Sequence, residues 1–329
     1  MPSLYTPSIG SKIDLQADYL EFSALIKPDG NVPIGDLTGE QDLQWDTEAD
    51  NDDDRDAVLE EARVSIAEEF ARRRHVLESA YPFSVTPDGA VLQLLPEAEW
   101  HIGRSSYLLS LVLSHATTSE IVPREVAPAD ERLRQSQKLF QVCATLAAAG
   151  ICRGHAYSIG FPRPDGSTFL KKLQEIWVKF GDGKLRREPL KSASPQIKDG
   201  GIDVIAWCPQ RDNRPGTMYL LAQVASGKNW STKSVREFIQ AFHYNWFETQ
   251  PISQCTAAMM IPFLISEEGK FADATLRLGH VYHRDRLPRE ASRAPKLAQE
   301  GYTIERLDDM EAVRAWVIAY RKYLQEECQ

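Results

Sequence analysis

The feature that most constrains the fold is a pair of apolar runs at residues 202–207 and 218–224, separated by a polar connection. The runs contain β-branched and aromatic residues, whereas the connection is rich in Pro, Gly, Asn and Asp. Strand-forming residues on both sides of turn-forming residues predict a β-hairpin. We therefore expect the rest of the chain to be organised around this hairpin.

Each predicted strand carries a polar residue where an apolar one would pack better. Asp203 lies in the first run, Gln223 lies near the end of the second, and Lys228 follows after a Ser-Gly pair. Oxygen atoms on adjacent strands suit Mg²⁺, which binds few protein groups and keeps several waters, and a Lys would supply positive charge to a phosphate. The alternative is structural: the acid bonds turn amides, the amide lies at an exposed edge, and the Lys lies in a solvated loop.

The sequence GGID at 200–203, followed by a strand that ends in Gln223 and then by Trp230, resembles the PD-(D/E)xK restriction-endonuclease-like superfamily. It is most similar to the Mrr-type branch, in which Gln replaces the acidic residue of the second motif. The resemblance implies that Asp203, Gln223 and the backbone carbonyl of Val224 bind Mg²⁺ or Mn²⁺. It also implies that a Lys orients or activates the water that attacks a DNA phosphate.

The chain departs from the family pattern at two positions. The family Lys is expected two residues after Gln223, where this chain has Ala225, so Lys228 or Lys233 would have to replace it. The helix before the hairpin often carries a Glu that joins the metal site in the family, and the matching residue here is Gln141. Both departures favour a second hypothesis, in which the fold is retained but the chain is a binding or assembly subunit of a multi-protein defence complex.

A chain of 329 residues is long enough for about two domains. We expect an N-terminal α+β accessory domain over residues 1–125, with an acidic loop at 40–56. An α/β nuclease-like domain is expected over residues 126–329, ending in an amphipathic helix that packs on this domain or on a partner.

The predicted order of elements in the second domain agrees with the αβββαβ core of the restriction-endonuclease-like fold. A helix at 131–150, ended by Gly150, precedes the hairpin. A helix at 231–247, begun by Ser231, and a buried strand at 256–265 follow it.

The charge of the chain bears on its partners. A formal net charge of −9 argues mildly against nucleic-acid binding, but the relevant field is local, and residues 270–298 are basic. In this segment Arg277, Arg284 and Arg286 are expected to contact phosphates. The chain has no run of about 18 apolar residues, so no membrane-spanning helix is predicted. Its five widely spaced cysteines indicate free thiols in a reducing cytoplasm.

The resemblance implies a Mg²⁺-dependent DNA endonuclease or nuclease effector, in bacterial restriction or anti-phage defence. The assembly subunit is the alternative. The sequence does not separate DNA from RNA as the substrate. It also leaves open a partner protein of a defence system and a homo-oligomer.

Overall fold

The computed structural model describes residues 4–38, 52–116, 120–124, 127–160, 163, 165–188, 190, 201–212 and 214–327, without the side chains of 52–55 and of Lys228. Within these ranges no helix combines the length and the apolar character needed to cross a membrane. The chain divides into two compact units, one formed by Met1–Ser136 with Arg314–Gln329 and the other by Gln137–Val313.

The longer elements are named in chain order. The helices are α1 (Ile13–Ile26), α2 (Asp52–Leu77), α3 (Ile102–His115), α4 (Asp130–Cys152), α5 (Phe169–Phe180), α6 (Val235–Trp246), α7 (Glu268–Leu278), α8 (Leu287–Ala291), α9 (Ala294–Gln299) and α10 (Met310–Glu327). The strands are β1 (Asn31–Pro33), β2 (Phe83–Val85), β3 (Val91–Leu94), β4 (His155–Ser158), β5 (Lys184–Leu185), β6 (Val204–Trp207), β7 (Met218–Val224), β8 (Phe247–Thr249), β9 (Gln254–Met260) and β10 (His280–Tyr282).

The first unit contains a three-stranded antiparallel sheet in the order β1-β3-β2, with α1 packed on α2 and β3. Arg73 of α2 is fully buried in this unit. Its guanidinium donates to Asp18 at 2.7 Å and to Glu69 at 2.8 Å, and it lies 2.9 Å from Glu21. Charges of opposite sign are thus buried together, which offsets the cost of removing each one from water.

The acidic loop expected at 40–56 differs from the structure at its C-terminal end. Residues 52–56 form the first turns of α2, and residues 39–51 lie outside the described part of the chain. Acidic residues in the first turn of a helix interact favourably with its dipole, so this aspartate run is compatible with a helix start.

The C-terminal residues 314–329 belong to the first unit, although the sequence predicts them as part of the second domain. Arg321 of α10 explains the difference. Its guanidinium donates to the carbonyls of Leu25 and Pro28 at 3.2 Å and to the carboxylate of Glu97 at 2.7 Å. The first unit also extends to Ser136, beyond the expected boundary at residue 125.

The second unit is built on a five-stranded sheet in the order β10-β9-β7-β6-β4. Strand β6 is antiparallel to both of its neighbours, β4 and β7, whereas β7, β9 and β10 are parallel to one another. The predicted hairpin is present as β6 and β7, with Val204 opposite Ala222 and Trp207 opposite Tyr219. The predicted mixed α/β class is confirmed.

Two apolar clusters are associated with this sheet. The larger one includes Tyr157, Ile205 and Leu221 of the strands, Phe169 and Trp177 of α5, and Val235 and Phe242 of α6. The smaller one consists of Ala225, Met259, Ile261, Ala274, Leu278 and Val281. Since residues two apart in a strand share a face, Gln223 faces the same side of the sheet as Leu221 and Ala225.

Two predicted helix caps are wrong. Gly150 lies inside α4, where its backbone packs so closely that an added Cβ would lie 2.0 Å from the carbonyl oxygen of Glu290. Ser231 lies in a short 3₁₀ turn, Lys228–Thr232, and α6 begins after Ser234. The Ser234 hydroxyl donates to the carbonyl of Arg277 at 3.3 Å, so a tertiary contact rather than a local cap fixes this helix start.

Candidate functional site at the edge of the central sheet

Asp203 and Gln223 lie opposite each other where β6 begins and β7 ends. Val204 pairs with Ala222, so the next pair along the ladder is Asp203 with Gln223. The N–H of Asp203 donates to the carbonyl of Ala222 at 2.8 Å, which continues the ladder to this point. Side chains directly opposite on antiparallel strands project to the same face, so the two predicted ligands are neighbours.

Both the carboxylate and the backbone carbonyl of Asp203 accept hydrogen bonds from backbone N–H groups of neighbouring segments. Its Oδ2 accepts the N–H of Val224 at 2.8 Å. Its Oδ1 would lie only 2.6 Å from a Cβ atom placed on Gly160, so this approach requires glycine there. The N–H groups of Ile159 and Gly160 donate to the carbonyl of Asp203 at 2.8 and 3.1 Å. The acid is therefore fixed relative to β7 and to the chain that follows β4.

The side-chain oxygen of Gln223 is the unusual feature of this edge. Oε1 is buried and accepts no hydrogen bond from the described residues. An unpaired buried polar group costs about 1–3 kcal/mol. Oε1 is one of several such atoms among the described residues, and it lies on the strand opposite Asp203. An amide oxygen is a ligand type that hard cations such as Mg²⁺ accept.

The donor atoms at the edge fit a cation that takes few protein ligands. One carboxylate from Asp203, one amide oxygen from Gln223 and the carbonyl of Val224 are adjacent along two strands. The described residues contain no cluster of three or more His, Cys, Asp or Glu side chains that could hold a metal ion. Because all three candidate ligands are oxygen atoms, the set suits Mg²⁺, which keeps several waters, better than Zn²⁺, which favours nitrogen and sulfur ligands.

Gln141 of α4 reaches the same edge but contacts the backbone. Its Nε2 donates to the carbonyl of Asp203 at 3.1 Å and to the hydroxyl of Ser158 at 3.3 Å. The residue that matches the family Glu therefore braces the start of β6 through its amide N–H groups.

The lysine expected by the family pattern has no counterpart at Ala225. This residue is only 2% exposed and belongs to the smaller apolar cluster. The backbone of Lys228 lies in the 3₁₀ turn after β7, and its side chain lies outside the described part of the structure. Lys233 ends that turn, is half-buried, and makes no ion pair with any residue that the structure describes.

The first turn of α6 lies at the same edge of the sheet. Since β7 and β9 run in the same direction and α6 connects them, α6 must begin where β7 ends. Ser234 precedes the helix without capping it through its side chain. The N–H groups in the first turn of a helix, together with its dipole, attract anions such as phosphate.

The three arginines expected to contact phosphates are not equivalent. Arg284 is fully buried, with 0% exposure, so its assignment as a surface phosphate contact is wrong. Arg277 and Arg286 are exposed. The guanidinium of Arg286 lies 4.4 Å from the centre of the Phe271 ring and donates to the carbonyl of Val281 at 3.3 Å.

Two residues of this edge were missed in the sequence. Gly160 follows β4 and contacts Asp203, a relation that depends on non-local strand pairing. Phe238 of α6 is exposed and lies against Gly201. The only signal in the sequence was an aromatic residue amid the polar side chains of an amphipathic helix.

No family model, curated protein or solved structure matches this chain.

Proposed function

We propose that the chain is a Mg²⁺-dependent phosphodiesterase that cleaves nucleic acid, with DNA as the first substrate to test. Asp203, Gln223 and the carbonyl of Val224 would hold the metal, and Mn²⁺ would replace Mg²⁺. The observation that carries the proposal is the buried Gln223 Oε1, which has no partner among the described residues and lies on the strand opposite Asp203. A metal bound there would stabilise charge on a phosphate and lower the pKa of a bound water.

The topology of the second unit supports the proposal. Helix α4, the antiparallel strands β4, β6 and β7, helix α6 and the parallel strand β9 follow one another in the order αβββαβ, apart from the insertion of α5 and β5 and of β8. This is the order expected from the resemblance to the restriction-endonuclease-like superfamily. We infer that the second unit is a variant of that fold.

The chain's own groups have separate parts in the proposed reaction. The N–H of Val224 and the close approach of Gly160 fix the carboxylate of Asp203 before any ligand binds. The first-turn amides of α6 would bind a phosphate oxygen. Lys233, or Lys228 from the preceding turn, would add a positive charge that stabilises the developing anion.

The biological setting follows from the resemblance alone. The Mrr-type branch implies a nuclease effector in bacterial defence against foreign DNA, and we propose that setting for this chain, in the cytoplasm. RNA is a second substrate class to be tested with the same site.

The direct test is cleavage of supercoiled plasmid and of circular single-stranded DNA with Mg²⁺ or Mn²⁺. Asp203→Asn should lower the rate by at least about a hundredfold, the scale seen when one transition-state-stabilising group is removed. Chelation of the metal should abolish cleavage. The matched control is Asp212→Asn, an exposed acid in the connection of the same hairpin, whose carboxylate accepts the N–H of Arg214 at 3.1 Å.

Burial of Ala225 in an apolar cluster favours the second candidate, a binding or assembly subunit without catalysis. A lysine at that position would have to reach out of an apolar environment. In that case wild-type protein at micromolar concentration would not cleave either DNA with either metal.

A further inference from the structure

Phe238 is an exposed aromatic residue of α6, and the residues one turn before and one turn after it are buried. Val235, one turn earlier, is fully buried in the larger apolar cluster, and Phe242, one turn later, is 2% exposed. Phe238 itself is 44% exposed. These buried neighbours anchor α6 on the sheet, so the exposed ring is held on a rigid element.

The ring lies against the chain that leads into the candidate metal site. A Cβ atom placed on Gly201 would lie 3.1 Å from Cδ2 of Phe238, and Gly201 has a φ of +74°, which side-chain-bearing residues rarely adopt. Gly201 is two residues before Asp203. The ring of Phe238 therefore lies next to the candidate site, in space that a side chain at position 201 would restrict.

The helix that carries Phe238 packs on the face of the sheet to which Asp203 belongs. Asp203 and Ile205 are two residues apart on one strand and so share a face. Ile205 belongs to the apolar cluster that contains Val235 and Phe242 of α6. The helix that carries Phe238 thus packs on the face from which the carboxylate of Asp203 projects.

Cations lie near the start of the same helix. Arg236 is exposed, and its guanidinium donates to the carbonyl of Leu276. Lys233 precedes the helix. Proteins that bind an unpaired strand combine exposed aromatic rings, on which bases stack, with nearby cations that follow the phosphates.

From this juxtaposition we propose that Phe238 is a stacking platform for an unpaired nucleobase next to the scissile phosphate. The inference rests on the proposed function and specifies its substrate as a single-stranded segment of nucleic acid. In a regular duplex each base is already stacked and paired, so it does not present a face to the ring. Stacking tolerates any base, and the platform therefore selects strandedness rather than sequence.

The test is the affinity for a fluorescein-labelled oligothymidine and for a labelled duplex of mixed sequence, measured by fluorescence anisotropy in EDTA. Phe238→Ala should weaken single-strand binding about five- to a hundredfold, the effect expected for loss of one stacked base. Phe238→Tyr should restore it, and duplex binding should change less than about twofold. The matched control is Tyr244→Ala, because Tyr244 is a more exposed aromatic residue of α6, at 60%.

Equal affinities of wild type and Phe238→Ala for the oligothymidine would overturn the inference, as would an equal loss for both ligands. A thermal unfolding curve of Phe238→Ala that matches the wild type would show that the helix is intact, and the Tyr variant provides the same check through recovered binding. Asp203→Asn separates the two proposals. It should not weaken single-strand binding in EDTA, because it removes a negative charge beside the phosphate, but it should lower the cleavage rate at least about a hundredfold. A failed cleavage assay with intact stacking would therefore count only against the proposed reaction.

Discussion

At the level of single residues, the candidate site depends on Gly160, which has no side chain, as much as on the proposed ligands Asp203 and Gln223. Asp203 and Gln223 were predicted from the sequence because each interrupts an apolar strand pattern, and the hairpin register brings them together. Gly160 could not be predicted in the same way. Its contact with Asp203 arises because β4 pairs with β6, a pairing between segments far apart in the chain.

This contact yields a prediction for Gly160→Ala. The added methyl group would lie 2.6 Å from Oδ1 of Asp203, so the carboxylate must move away from its position beside Val224 and Gln223. Cleavage or Mn²⁺ affinity should fall about ten- to a hundredfold, the usual cost of disturbing the groups that orient a metal ligand.

Gly269→Ala is the matched control for that variant. Gly269 lies in α7 of the same unit, and a Cβ atom there would have no neighbour within 4 Å. It should leave cleavage unchanged and raise the free energy of unfolding by up to about 1 kcal/mol, since alanine favours a helix over glycine. A Gly160→Ala variant with wild-type metal affinity would show that the position of Asp203 does not depend on Gly160.

Other residues show where local patterns mislead. A run of arginines predicts a basic surface, yet Arg284, in the short connection between β10 and α8, is fully buried, and its backbone N–H donates to the carbonyl of Phe263 at 3.3 Å. The replacement of the family Lys by Lys228 or Lys233 also remains a prediction, since a strand pattern does not specify the path of the turn that follows β7.

At the level of elements, most helices and strands of the second unit follow from periodicity and turn residues. The hairpin, the helix before it and the helix after it were all expected. The element ends were not, because they depend on tertiary contacts. Gly150 serves close packing against Glu290 instead of ending α4, and Ser234 is held by a carbonyl of α7.

Asp182 is a further connection between elements that the sequence did not indicate. It follows α5, and its carboxylate accepts the N–H groups of Ile252 at 3.2 Å and Ser253 at 2.8 Å, just before β9. Burial raises the pKa of Asp182, but the hydrogen bonds from the side chain and backbone of Ser253 and from Ile252 outweigh it, so the net pKa is lowered. The charged form is therefore the one that stabilises the folded chain.

A lowered pKa in the folded state makes stability fall with acidification. The contribution of Asp182 is present above the ordinary aspartate pKa of about 3.9 and is lost as the pH falls through the lower folded value. Asp182→Asn should reduce the free energy of unfolding by about 1–3 kcal/mol at pH 7. The difference from wild type should shrink below about pH 4, as measured by urea unfolding across the pH range.

Asp273→Asn, an exposed acid on α7, should follow the wild-type pH profile throughout. If Asp182→Asn and wild type lose stability in parallel as the pH falls, the carboxylate of Asp182 does not contribute in the way its contacts indicate.

At the level of the whole molecule, the two units differ in how far the sequence predicts them. The second unit was predicted because its helices and strands follow the order αβββαβ and because polar residues interrupt two of its apolar strands. The first has no such pattern. Its buried charge network joins Arg73 of α2 to Glu69 of the same helix and to Asp18 and Glu21 of α1, and Arg321 joins α10 to Glu97 of this unit. Non-local ion pairs of this kind leave no periodic signal in a sequence.

The central claim is that Gln223 Oε1 is a metal ligand, and the most direct test is thermal unfolding of the whole chain in EDTA and in Mn²⁺. At a Mn²⁺ concentration about a hundred times the dissociation constant, the wild type should gain about 2.7 kcal/mol. Gln223→Leu should be at least as stable as the wild type in EDTA, because it removes an unpaired buried oxygen, but should gain little from Mn²⁺. Gln240→Leu, at an exposed position of α6, should keep the full gain. A full Mn²⁺ gain in Gln223→Leu, or none in the wild type, would contradict the account.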